Sequence, residues 1–172
     1  RPSAESRRFE ASLPRGTDAG VEQDLSYWIE AGDARSRKFK LTVFTRPTLM
    51  VQKIHYAYPP YTGLPTKETN HVGDIRGVEG TKVTIGALAS QKIKNAYVDF
   101  DADGTSDLQM KTDGVRAMIT IPLELREDRR TPVHPRYALR FTAEDGRQNV
   151  EPPIYSIEVT PDYAPEVSIT EP

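Results

Sequence analysis

Phe141-Thr142-Ala143-Glu144-Asp145, then Gly146-Arg147-Gln148, then an alternating stretch containing Tyr155-Ser156-Ile157-Glu158-Val159 and, shortly after, Pro165, reads as two β-strands joined across a polar turn. The chain carries the same stretch once before: Ile29-Glu30-Ala31-Gly32-Asp33, then Ala34-Arg35-Ser36, then Phe39-Lys40-Leu41-Thr42-Val43 and Pro47. Asp33 lies 112 positions before Asp145, Val43 lies 116 before Val159, and Pro47 lies 118 before Pro165. A near-constant offset of this size is the length of one β-sandwich domain. The sequence therefore reads as the tail of one module followed by one complete copy.

Working outward, residues 1–46 are expected to hold the C-terminal strands of an incomplete module, residues 47–164 a complete sandwich, and residues 165–172 a linker or the start of the next module. In the first part, Phe9–Leu13, Leu25–Ala31 and Lys38–Phe44 alternate apolar with polar residues and read as strands. In the second, Leu49–Tyr58, Lys82–Leu88, Ile93–Asp101, Asp107–Lys111, Val115–Leu125, Tyr137–Ala143 and Ile154–Val159 read as seven strands. Residues 62–80, with Gly63, Pro65, Gly73, Gly77 and Gly80, and the charged stretch 126–136 read as loops. Seven such strands with turn signals between them predict an all-β fold of the immunoglobulin-like or fibronectin-type-III-like antiparallel sandwich kind, in tandem modules. Tyr137 with Leu139, and Tyr27 with Ile29, occupy the place of a corner tyrosine and its inward neighbour, and read as packing devices.

Composition bounds the function classes. The 172 residues carry 23 basic and 25 acidic side chains, a net charge of −2 spread along the chain, where a nucleic-acid interface needs a clustered basic excess. With no cysteine there is neither a disulfide nor a thiolate metal site. No apolar run approaches the ~20 residues that span a bilayer, so no membrane contact is expected from this part of the chain. With no initiator Met and no signal peptide at its start, the sequence is expected to have its true N-terminus upstream.

Tyr58-Pro59-Pro60-Tyr61-Thr62-Gly63-Leu64-Pro65 after a domain-opening strand, Val78-Glu79-Gly80-Thr81-Lys82-Val83, and the Ala31-Gly32-Asp33 hairpin together resemble the immunoglobulin-like repeats of large uncharacterised bacterial membrane-anchored envelope proteins. That resemblance implies tandem β-sandwiches exposed outside the cytoplasm, in the periplasm or cell envelope, and it brings no catalytic residues.

The sharpest local signal is Asp99-Phe100-Asp101-Ala102-Asp103-Gly104-Thr105-Ser106-Asp107. Carboxylates at positions 1, 3 and 5, glycine at 6 and a backbone carbonyl at 7 are the opening of a calcium loop, which makes Asp99, Asp101, Asp103, Thr105 and Asp107 candidate ligands. Position 12, where an EF-hand needs glutamate, is Met110, so an EF-hand is excluded. With Val98 and Phe100 on the core face, Asp99 and Asp101 should point outward together and repel unless a cation joins them. The competing and preferred reading is a solvated acidic hairpin, since Asp-Gly turns are ordinary turn chemistry. His55, His71 and His134 are too far apart in sequence for a zinc motif. No nucleophile elbow, His-Glu-x-x-His or phosphate-cradling glycine loop occurs, so no enzyme is expected.

Tyr56, Tyr58 and Tyr61 beside Pro59-Pro60 form the second candidate site, an aromatic cluster able to stack on a sugar or a proline-rich peptide. Alternate aromatics on an opening strand more often pack inward. The leading expectation is a non-catalytic spacer module of an extracytoplasmic tandem array, its partners being neighbouring modules of the same chain. A recognition module for glycan or protein, and an accessory domain of an enzyme, are the alternatives. Exposed aromatics would favour recognition; buried tyrosines would favour the spacer. The incomplete first part exposes strand edges and an apolar face, which predicts self-association.

Overall fold

The computed structural model of the protein describes residue 21 and residues 23–163. The strand expected at 9–13 and the stretch from 165 onward lie outside the described residues. The chain divides into two compact units, Arg1–Thr45 and Arg46–Pro172.

In the first unit, β1 (Leu25–Tyr27) pairs antiparallel with β4 (Phe39–Leu41), and β2 (Glu30–Ala31) pairs with β3 (Ala34–Arg35). The single strand expected over Leu25–Ala31 is thus broken at Trp28-Ile29. Gly32 at the tip has φ +63, the left-handed backbone that a two-residue turn requires and glycine adopts without strain. Tyr27 faces Phe39 with ring centroids 5.3 Å apart, and the Arg35 guanidinium lies 4.3 Å from the centre of the Trp28 ring. None of the described residues of this unit is buried.

The second unit is a two-sheet sandwich. One sheet has the order β11 (Lys111–Asp113), β12 (Arg116–Pro122), β8 (Lys82–Ala89), β5 (Leu49–Ala57), β6 (Lys67–Asn70). The other has the order β10 (Leu108–Gln109), β9 (Ile93–Phe100), β13 (Arg136–Ala143), β14 (Ile154–Thr160), β7 (Ile75–Val78). All pairings are antiparallel except β14 with β7, which run parallel. The core lies between the sheets: Leu49, Ile54 and Tyr56 of β5, Val83 and Ile85 of β8, and Ile121 of β12 meet Val98 of β9, Tyr137, Leu139 and Phe141 of β13, and Ile157 of β14. Strand β8 alternates buried with more accessible residues, the period-two pattern of a sheet with one covered face; β13 follows it except at Ala138, which is buried on the outer face.

Two strands change which parity faces inward, and each does so at a bulge. In β5 the buried residues are Leu49 and Val51, then Ile54 and Tyr56; the ladder to β8 skips Gln52 between them. In β9 the core-facing buried residues are Ile93, then Ala96, Val98 and Phe100; the ladder to β13 shifts between its pairs with Ile93 and Asn95. One extra residue exchanges the two faces, so the break in apolar alternation at 52–53 and at 94–95 is the sequence mark of the bulge.

The region 62–80, expected as a loop, contains β6 and β7, one in each sheet. The chain passes between the sheets at residues 71–74, with His71 at φ +58. Gly73 is needed there because an added Cβ would stand 2.2 Å from the Tyr155 ring, and its carbonyl accepts the buried Tyr137 hydroxyl at 2.6 Å. Tyr137 therefore ties β13 to this crossing, and burial raises its phenol well above the ordinary range. On the opposite flank the strand expected over Asp107–Lys111 also changes sheet: β10 and β11 are separated by Met110, which is buried. Both flanks of the sandwich thus end in strands of two to four residues, too short to template pairing with another chain.

Candidate functional site

The acidic loop begins where β9 leaves the sheet. Asp101 and Ala102 both have positive φ, +63 and +56, which turns the chain back on itself, and the Asp101 amide donates to the Arg136 carbonyl at 3.1 Å. Asp107 returns it: its amide donates to the Val98 carbonyl at 3.2 Å and its carboxylate accepts the Phe100 amide at 2.7 Å. Asp103 closes an Asx turn by accepting the Thr105 amide at 2.8 Å, and the hydrogen bonds from Thr105 hold its carboxyl below the usual carboxylate range.

Asp99 departs from expectation. Its side chain lies on the face of β9 away from the core, as the alternation requires, yet it is completely buried. The loop folds back over it and the Gly104 amide donates to both carboxylate oxygens, at 3.2 and 3.0 Å. The Arg140 guanidinium, itself one-quarter exposed, makes a short ion pair with the same carboxylate. Ala138, directly opposite Asp99 in the ladder, is also fully buried and leaves room for the loop. Asp99 and Asp101 do not point out together, and the charge that answers Asp99 is an arginine from the neighbouring strand.

Each carboxylate of the loop except Asp101 thus accepts hydrogen bonds from the loop or its neighbours. Among the described residues no group of three or more His, Cys, Asp or Glu side chains is gathered to hold a metal ion. The donor set Asp99, Asp101, Asp103, Thr105 and Asp107 does not fit calcium in this arrangement, because Asp99 is already neutralised beneath the loop. The nine-residue loop lies on the outer face of the sheet over the buried Asp99 carboxylate, which is paired with the partly exposed Arg140.

The aromatic candidates are separated. Tyr56 is 2% exposed and belongs to the core; Tyr58 packs partly buried against it with ring centroids 6.4 Å apart. Burial raises the Tyr56 phenol above its ordinary value. Tyr61, 72% exposed on the 3-10 turn Pro60–Thr62, donates its hydroxyl to Asp162. There is no aromatic patch at Tyr56–Tyr61.

A cleft of about 300 Å3 adjoins the acidic loop. It is lined by Phe100, Asp107, Leu123, Glu124 and His134 among others, between the acidic loop and the loop 123–135. His134 stacks on Phe100 with ring centroids 3.8 Å apart, and its Nδ1 is buried without a hydrogen-bond partner. Two groups were not legible in the sequence. Arg140 stands 41 positions from Asp99 and is linked to it only by strand pairing. Arg129, in a charged stretch that reads as solvated, reaches Glu79 and Asp162. Compared with protein-family models, curated proteins and solved structures, the chain matches none.

Proposed function

We propose that the second unit is a non-catalytic spacer module of an extracytoplasmic tandem array, with an immunoglobulin-like strand order, and that the first unit is the tail of a module of the same kind. The observation that carries this reading is that one hairpin device occurs twice. In the first unit Tyr27 pairs directly with Phe39; in the second Tyr137 pairs directly with Tyr155, and both ring pairs have centroids 5.3 Å apart. In the first, the Ile29 amide donates to Ser36 Oγ at 2.9 Å while the Ser36 amide donates to the Ile29 carbonyl at 2.9 Å. In the second, the Phe141 amide donates to Asn149 Oδ1 at 2.8 Å while the Asn149 amide donates to the Phe141 carbonyl at 3.4 Å.

The topology supports the same reading. Taking β5, β8, β9, β11, β12, β13 and β14 as A to G, and β6, β7 and β10 as added edge strands, the sheets read A-B-E-D and C-F-G, which resembles the division of a constant-type immunoglobulin domain. Of the tyrosines that could have formed a recognition patch, Tyr56 is in the core, Tyr58 packs partly buried against it, and Tyr61 stands apart on the surface, hydrogen-bonded to Asp162. The envelope location rests on the family resemblance.

Recognition of a glycan or peptide is the second reading, and the cleft beside His134 is the observation that favours it, at the small end of ligand-site volumes. A chemical-shift titration of the chain with soluble glycans and proline-rich peptides separates the two. The spacer reading expects no saturable shift; saturable shifts confined to Phe100, Leu123 and His134 would replace it with recognition.

A further inference from the structure

Three segments far apart in sequence converge on the residues that leave β14. The Glu79 amide, in the turn after β7, donates to the Thr160 carbonyl at 2.9 Å. Tyr61, on the 3-10 turn after β5, donates its hydroxyl to the Asp162 side chain. Arg129, in the loop between β12 and β13, donates to the Asp162 carbonyl at 2.8 Å and to Glu79 at 2.9 Å, and its guanidinium lies 5.8 Å from the centre of the Tyr163 ring. We propose that Tyr61, Glu79 and Arg129 form a latch that fixes the direction in which the chain leaves the sandwich.

The backbone at Arg129 carries the argument beyond a set of surface contacts. Among the described residues four that are not glycine have positive φ: His71, Asp101, Ala102 and Arg129. Three of them turn the chain at a sheet crossing or at the acidic loop. Arg129, at φ +51, sits where glycine would be free of strain. An arginine there spends backbone strain on a side chain, and that side chain goes to the exit segment. The loop is built to present it: Asp128 accepts the Arg130 and Thr131 amides at 2.9 Å each and the Thr131 hydroxyl at 2.6 Å. Each exposed contact is weak alone, since solvent screens ion pairs and side-chain entropy opposes them. Held by three separate loops at once, residues 160–163 have one arrangement that satisfies all of them.

The purpose of the latch rests on the spacer reading, because a module that sets spacing must also set the angle at which its chain continues. Its existence does not rest on that reading, and the two fail on different results: the spacer on saturable ligand binding, the latch on the order of residues 162 and 163. Backbone 15N relaxation of the full chain reads it. In the native protein the Asp162 and Tyr163 amides should show the order of the strands, order parameters of about 0.85. Arg129→Gly keeps the left-handed backbone and removes the guanidinium; Tyr61→Phe removes one hydroxyl. Each should lower the order at 162 and 163, Arg129→Gly to below about 0.6, with β13 and β14 unchanged. Unaltered order in Arg129→Gly overturns the latch. So does an equal loss in Arg130→Gly, which would trace the effect to the loop backbone instead of the guanidinium.

Discussion

The hairpin of the first unit and the β13–β14 hairpin of the second share an aromatic pair and a reciprocal side-chain closure, set two residues after Tyr27 in one and four after Tyr137 in the other, yet they end in opposite environments. Tyr27 and Leu41 are 38% and 40% exposed, whereas Tyr137 and Ile157 are 0% and 5% exposed. The local devices are therefore not what buries a strand. In the second unit the same apolar faces lie against β5, β8 and β12, and it is that opposite sheet that takes Tyr137, Leu139 and Ile157 out of water. At about 25 cal/mol per Å2 of apolar surface, covering such a face is worth more than its ladder hydrogen bonds, which largely replace bonds to water.

The largest predicted contrast concerns the charge pair that has no counterpart in the first unit. Arg140→Met should destabilise the second unit by about 3–5 kcal/mol, because it strands the buried Asp99 carboxylate under its loop. The pair Lys40–Asp24 of the first unit is exposed on both sides, and Lys40→Met should cost less than about 1 kcal/mol. Chemical denaturation of the two variants makes the comparison, and equal effects would break it.

The closure residues sharpen it further. Asn149 is buried and also donates to the Leu139 carbonyl at 2.8 Å, so Asn149→Ala leaves buried groups unpaired and should cost about 2–4 kcal/mol. Ser36→Ala removes the equivalent acceptor where water can replace it, and should change stability by less than about 0.5 kcal/mol.

Acid should act on the second unit at the loop that presents Arg129. Hydrogen bonds from Thr131 and Arg130 lower the Asp128 carboxyl from 3.8 to about 2. A depressed folded-state value means the anion is the favoured partner. The contribution of this cap is complete above about pH 4 and is lost as pH falls toward about 2. An NMR titration should show the Arg130 and Thr131 amides moving over that window. Calcium should have the smallest effect of all. With Asp99 paired to Arg140, millimolar calcium added after EDTA should leave the melting temperature unchanged, and a calcium-selective rise lost in Asp101→Ala would show the loop reorganising around a metal.

Much of the sandwich was legible because its long strands alternate cleanly: β8, β13 and β14 sit where the pattern of Lys82–Leu88, Tyr137–Ala143 and Ile154–Val159 put them. The strands missed are those whose residues do not alternate because they sit at edges. Lys67–Asn70 is almost wholly exposed, and Ile75–Val78 carries glycine within a glycine-marked stretch, so both read as loop. Of the candidate site, the acidic turn was visible as a turn and Tyr56 as an inward aromatic. The fate of Asp99 was not, because burial on the outer face depends on a loop folding back and on an arginine two strand positions off its ladder partner. Periodicity says which face a residue takes; it does not say what covers that face.

Native-state hydrogen exchange on the whole chain tests the central claim most directly, at two chemically equivalent amides. Phe141, donating to Asn149, should exchange only through global opening of the sandwich, and Ile29, donating to Ser36, should exchange through local opening many orders of magnitude faster. Equal, strong protection at both amides would contradict the account, for it would mean that the hairpin device alone, or a cover on the first unit, does what is assigned here to the opposing sheet.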